Sequence, residues 1–176
     1  MGKERRPSTH VGRTGGALRR GLVGLVLLSC VYSALAARPA GAASSSIAIV
    51  VHPDTPVSDM SLAEVRKIFL GDRQFWNSNL RVVLLVRAPV AREREVVLRA
   101  IYQMSEAQFR QYWIAKVFRA ETTSGPKIVY SAEMTNELIT AIPGSIGFMP
   151  AEKVQPGMKV LRINGKLPGE SGYPLQ

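Results

Sequence analysis

Apolar positions along this chain change period several times, and each change marks an element. The first run, Ile47–Val51, is continuous and rich in β-branched residues, which predicts a buried strand. His52-Pro53-Asp54-Thr55-Pro56 breaks it as a turn-forming loop. The period then lengthens: Leu62, Val65, Ile68 and Phe69 fall on one helical stripe. Ser61 caps that helix, and Glu64 three residues on completes a capping box. Gly71 stands where the helix ends, because glycine accepts the left-handed conformation without a Cβ clash. Asp72 to Asn79 reads as a polar turn with Phe75 and Trp76 tucked inside. Val82–Val86 is a second continuous apolar run, ending on Arg87, and suits a parallel or mixed sheet covered on both faces.

A further helix is expected from about Ala91, with Val96, Val97, Ile101 and Met104 on its apolar face. Ser105 with Gln108 is a second capping box and opens a helix over about Glu106 to Arg119. Its expected core face is Phe109, Trp113, Ile114 and Val117; the helical spacing of Tyr112 and Trp113 with Phe109 favours packing over a stacking platform. Ala120–Lys127 is a loop, Ile128–Tyr130 a short strand, and Ser131 caps a helix that Pro143-Gly144 stops after about Ile142. Ile146–Met149 is a strand whose Gly147 signals close approach of another backbone. Met158–Ile163 is the last strand, with Asn164-Gly165 as a turn behind it. The Gly/Pro-rich residues 166–176 predict a loose tail. The order of elements defines an α/β class: a three-layer domain with a mixed sheet of about five strands.

Charge changes the picture at the N-terminus. The chain of 176 residues carries a net charge of +10. Seven of its 23 Lys and Arg and one of its 13 acids precede Ser44, which leaves 16 basic and 12 acidic residues after it, a net of +4. Most of the basicity therefore belongs to the leading segment, and nucleic acid is not the expected partner. Basic Met1–Arg20, apolar Gly21–Ala37 and the small residues Ala40–Ala43 form the three-part pattern of a secretory signal peptide over residues 1–43. Cleavage is expected after Ala42 or Ala43, which gives a periplasmic protein of residues 44–165 plus the tail. Alternatives are an uncleaved anchor, or lipidation at Cys30, since Leu27-Leu28-Ser29-Cys30 resembles a lipoprotein box. Cys30 is the one cysteine, so cleavage near Ala42 leaves no thiol for disulfide or zinc chemistry.

The residues exclude most catalytic chemistry. There is no G-x-S-x-G, Walker loop or H-E-x-x-H, and no paired carboxylates at useful spacing, so neither enzyme activity nor a cofactor or metal is expected. His52 is a lone histidine, expected in a loop or core rather than on a metal. Oxyanion binding has better support, because a strand-end arginine followed by a helix N-terminus combines a planar donor fork with free N–H groups.

The segment Leu62 to Arg87, with IFLG, Trp76 and a strand ending in Arg87, resembles the middle of the phosphate-binding proteins of ABC transporters, of the type 2 periplasmic binding protein fold. SIAIVVHPDTPVSDMSL (Ser46–Leu62) and ELITAIPGSIGFMP (Glu137–Pro150) agree with that family in order and spacing, so the resemblance covers roughly Ile47 to Pro150. It implies one lobe of such a fold, an exported solute-binding-like protein taking phosphate or a similar small oxyanion, and an ABC transporter permease or another envelope protein as partner. It places Arg87, Ala91 and Arg92 at the anion, and the charge of the neighbouring Arg94 makes it a fourth candidate ligand. Where the family has Ser-Gly-Thr, this chain has Ala91-Arg92-Glu93, so a carboxylate faces the site. The cluster Arg87, Arg92, Arg94 and Arg99 holds an anion by charge, or forms a solvated helix face paired with Glu93 and Glu95. The alternative function is a ligand-free periplasmic interaction or sensor module on the same fold. The first reading requires a positive pocket at residues 88–93; the second, a filled or solvated region there and an exposed apolar patch elsewhere.

Overall fold

The first apolar run forms strand β1 (Ile47–Val51), and all of its residues are buried. These are features of a computed structural model that describes residues 46–176; the expected signal segment 1–43 and Cys30 lie outside the described residues. Ile47, Ile49 and Val51 enter one core cluster, whereas Ala48 and Val50 enter another. Alternate side chains of a strand point to opposite faces, so β1 is covered on both sides. Burying each Ile or Val contributes about 1.5–3 kcal/mol.

Ser61 caps helix α1 (Leu62–Phe69) in the expected box: its Oγ accepts from the Glu64 amide at 3.2 Å, and its own amide donates to Glu64 Oε2 at 2.9 Å. Strand β3 (Val83–Arg87) follows the polar turn, and a two-residue strand β2 (Asp59–Met60) precedes α1. After β3 come the short helix α2 (Arg92–Val97), a π-helical turn (Leu98–Tyr102) and helix α3 (Glu106–Phe118), whose Ser105–Gln108 capping box also forms. Strand β4 (Lys127–Val129), helix α4 (Ala132–Ala141), strand β5 (Ser145–Pro150) and a 3-10 turn (Ala151–Lys153) lead to β6 (Lys159–Val160) and β7 (Arg162–Ile163). Ser131 caps α4 by accepting from the Met134 amide at 3.0 Å.

The main sheet has five strands in the order β4-β3-β5-β1-β6, and it is mixed. β3 is parallel to β4 and β5; β1 is antiparallel to β5 and β6. Residues of α1, α2, the π turn and α3 pack with one face, and α4 residues such as Ile139 pack with the other, which gives the expected three layers. Gly147 lies against β3: a Cβ there would meet Leu85 Cβ at 3.3 Å. Gly144 has φ +76°, and a Cβ there would sit 2.2 Å from the Arg81 carbonyl oxygen. Trp76 locks the same turn, its indole N–H donating to the Gly144 carbonyl at 2.8 Å.

Four expectations change. The last strand divides at buried Leu161: β6 joins the main sheet through β1, and β7 pairs with β2 in a separate two-stranded sheet. Of the pair placed inside the turn, Trp76 is buried but Phe75 is 47% exposed, with the Arg81 guanidinium over its ring. The core face of α3 is Phe109, Trp113 and Lys116; Ile114 and Val117 face outward. The tail is not loose at its end. Tyr173 and Leu175 are buried, the Tyr173 hydroxyl donates to the Ile47 carbonyl at 2.8 Å, and the Leu175 carbonyl accepts from the Ile47 amide at 2.9 Å.

Candidate functional site

β3 carries Arg87 to its C-terminal end, beside Val129 of β4. Ala88 to Ala91 then turn the chain into α2, with Val90 at φ +72° and fully exposed. Ala91 is the N-cap residue of α2, and having no side-chain oxygen it makes no capping hydrogen bond. Glu93 falls in the first turn of this helix, which aims its carboxylate back at the strand end.

Arg87 Nε donates to Glu93 Oε1 at 2.5 Å, and the two side chains are only 11% and 9% exposed. Arg87 Nη1 lies 3.5 Å from the Val129 carbonyl oxygen. The chain's own carboxylate thus occupies part of the donor fork that would hold an oxyanion. A second carboxylate also feels this arginine: Glu133, at the start of α4, is held below its usual range by its own backbone N–H and the Ser131 hydroxyl, with Lys153 and Arg87 adding their charges.

Arg94 is more completely committed. Its Nε and Nη2 donate to the two oxygens of Glu106 at 2.8 and 2.9 Å. Its Nη1 donates to the Arg87 carbonyl at 2.5 Å, and its guanidinium lies 4.7 Å from the Phe109 ring centroid. The residue is 3% exposed. Glu106 is held below its ordinary 4.5 by the Arg94 hydrogen bond, aided by the charges of Arg94 and Arg110 and opposed by partial burial. Arg92 is exposed on α2, and Arg99 stands 3.9 Å from Glu95 on the solvated surface.

The arginine cluster is therefore divided. Arg87 and Arg94 are brought together but each is matched by a carboxylate, Arg99 forms a solvated pair, Arg92 is exposed at the start of α2, and the Ala91 amide donates to the Ala88 carbonyl at 3.4 Å. A cleft of about 420 Å³ beside the loop is lined by Pro89, Val90, Arg94, Glu95, Arg99 and Glu106 among others, so its charges balance. The Glu93–Arg87 pairing was accessible from the Ala91-Arg92-Glu93 sequence. The Arg94–Glu106 pair was not, because its partner lies beyond a π turn. On the far side of the domain Lys116 is held by Asp72 Oδ1 at 2.6 Å and the Tyr112 hydroxyl at 3.0 Å. Burial works against its charge, and these partners raise it above its usual range all the same.

One further surface is notable. Ile114, Val117 and Phe118 form an exposed apolar stripe on the outer face of α3, with Phe118 90% exposed. Among the described residues, no group of three or more His, Cys, Asp or Glu is placed to hold a metal ion, and no helix is long and apolar enough to cross a membrane.

No family model and no curated protein matches this chain. Its fold does match solved structures. It is similar to a Clostridium perfringens protein assigned as a phosphate ABC transporter substrate-binding protein and solved with bound phosphate, at TM-score 0.55 and 17% identity, over 68% of this chain and 45% of that one. It is similar to an ABC-type phosphate transport receptor from Vibrio cholerae, at TM-score 0.56 and 16% identity, over 70% and 48%. It is also similar to PstS from Borrelia burgdorferi, at TM-score 0.56 and 17% identity, over 70% and 49%. The match is one of fold, and the chain spans about half the length of these proteins.

Proposed function

We propose that this chain is an exported, periplasmic module with the fold of a phosphate-binding protein lobe, working by contact with an envelope partner rather than by carrying phosphate. The observation that carries this reading is the Arg87–Glu93 pair at 2.5 Å, which takes up part of the arginine fork that the resemblance assigns to the anion. Removing a buried fork from its own carboxylate costs about 3–5 kcal/mol when one partner is left unpaired, so a competing anion must recover that first. The exposed stripe of Ile114, Val117 and Phe118 supplies a surface of the kind a contact module needs.

A second reading has its own support. Arg87 stands at a strand end before a helix, as in the oxyanion site the resemblance implies, and a structure of similar fold holds phosphate. Here the chain is a solute-binding-like protein for phosphate or a similar oxyanion, Glu93 swings aside, and the partner is an ABC transporter permease.

Calorimetric titration with phosphate separates the two, using the full chain as an expressing cell processes it. The first reading expects no heat at millimolar phosphate, at low or physiological salt. Micromolar binding that survives salt and is abolished in Arg87→Met/Glu93→Gln would establish the second. The double variant is the right control, because Arg87→Met alone strands a buried carboxylate.

A further inference from the structure

A second cleft lies at the other end of the sheet. It opens at the N-terminal end of β3, four residues and roughly 13 Å along the strand from Arg87. Its volume is about 140 Å³. Its apolar lining comes from the end of α1, the start of β3 and the ring of Trp113 on α3: Ile68, Val82, Leu84 and Trp113. Thr122, Ser124 and Gly125, from the loop before β4, contribute hydroxyl and backbone groups.

Arg73, Arg81 and Lys127 also line this cleft; none of them forms a salt bridge among the described residues, and Arg73 alone acts on a carboxylate, Glu64, through its charge. Their commitments differ. Arg73 spends Nε and Nη2 on the carbonyls of Phe75 and Trp76, both at 3.1 Å. Arg81 makes only two long contacts, at 3.3 Å to Thr123 Oγ1 and 3.4 Å to Gln74 Oε1. The Lys127 ammonium has no hydrogen bond among the described residues. Two acids of the surrounding loops, Asp72 and Glu121, are engaged by Lys116 and Arg119. Arg81 and Lys127, like charges without a paired acid, raise the local potential and concentrate anions at the mouth of a low-dielectric cleft. The Arg81 fork is held over the Phe75 ring, 5.7 Å from its centroid, which limits the freedom it loses on binding.

We propose that this cleft binds a small organic carboxylate, its apolar body on Trp113, Ile68 and Leu84 and its carboxylate on Arg81 and Lys127. Inorganic phosphate has no apolar body and leaves that lining in water. An apolar cavity of about 150 Å³ accepts a ring the size of benzene, so the cleft suits a single ring or a short branched chain. A few convergent polar groups over an apolar lining is the usual composition of a small-molecule site. The proposal goes beyond the reading of the Arg87 site and does not depend on it.

Benzoate is the probe, titrated into the full chain and followed by 1H–15N NMR, with benzyl alcohol, acetate and phosphate as comparisons. Benzoate should saturate with a dissociation constant on the order of 1–10 mM, the range open to a ligand of so few atoms. Shifts should centre on Gly125, Lys127 and the Trp113 indole. Benzyl alcohol and acetate should each bind about tenfold more weakly, since each lacks one half of the recognition. Arg81→Gln/Lys127→Gln, both exposed side chains, should weaken benzoate by about tenfold or more and leave the rest of the spectrum in place. Arg87→Met/Glu93→Gln should bind benzoate as the unaltered chain does. Four outcomes would overturn the proposal: no saturation, equal affinity for benzoate and benzyl alcohol, equal affinity for benzoate and phosphate, or loss of benzoate binding in the Arg87/Glu93 variant instead of the Arg81/Lys127 variant.

Discussion

Arg94 Nη1 donates to the carbonyl oxygen of Arg87 at 2.5 Å, so one arginine fixes the backbone that presents the other. The same guanidinium grips Glu106 with two further donors, and this ties β3, α2 and α3 together at one point. Arg94→Met should lower stability by about 1.5–3 kcal/mol, since Arg94 is buried while its partner Glu106 is 32% exposed and can be rehydrated. Arg94→Lys should not restore it, because an ammonium lacks the planar fork that meets two carboxylate oxygens and a carbonyl at once. Urea denaturation midpoints at pH 7 give both values.

Arg87 and Glu93 should behave as a unit. Each single substitution, Arg87→Met or Glu93→Gln, leaves a nearly buried polar partner behind. The double substitution removes both, so its destabilisation should fall short of the sum of the singles by at least about 1 kcal/mol. A double-mutant cycle by urea unfolding measures that coupling. Simple additivity would mean that the pair does not hold Arg87 in place.

Glu106, the partly buried member of the carboxylates held low, contributes to the acid limb of stability. Its folded value lies below the ordinary 4.5, because Arg94 favours the charged form. The stabilisation is therefore present above about pH 4.5 and is lost as the pH falls through the lowered value. Unfolding midpoints should drop steeply below pH 4.5, and Glu106→Gln should start lower and show a flatter acid limb. An unchanged slope in that variant would assign the acid sensitivity to other carboxylates.

Gly144 tolerates no side chain. Its φ of +76° and the Arg81 carbonyl 2.2 Å from an ideal Cβ combine backbone strain with a clash against backbone. Gly144→Ala should cost about 2–5 kcal/mol by denaturation. Gly125→Ala, where no atom lies within 4 Å of the added carbon, should change stability by less than about 0.5 kcal/mol.

The chain's end is part of the core. Leu175 is fully buried, so Leu175→Ala should cost about 2–5 kcal/mol, a loss that a loose tail would not show.

Local signals in the sequence were dependable. Ser61 with Glu64, Ser105 with Gln108, and Ser131 each stand within three residues of their partners, and all three helix starts form as the spacing predicts. The two continuous apolar runs gave β1 and β3 because a strand covered on both faces needs no alternation. What stayed hidden depended on distance. Tyr173 meets Ile47 across 126 residues, and no local pattern marks a Gly/Pro-rich tail as buried at its end. On α3 the helical spacing of Ile114 and Val117 matched a core stripe, yet Lys116 is buried because Asp72 and the Tyr112 hydroxyl receive its charge. At the candidate site, the sequence located Arg87 and the carboxylate facing it. It did not locate Glu106, twelve residues from Arg94, or the three cations that the folded sheet gathers at its other end.

Every hydrogen-bonding neighbour of β1 arrives late in synthesis. Its partners are residues 146–150 of β5, 159–160 of β6, Leu161, and finally Tyr173 and Leu175. This fully buried strand, set between β5 and β6, therefore has nothing to pair with until residues 146 onward have been made. Contacts of such long reach slow folding, because loop closure must precede any reward. A nascent chain of this design keeps β1 unpaired while it elongates, which fits the export proposed above.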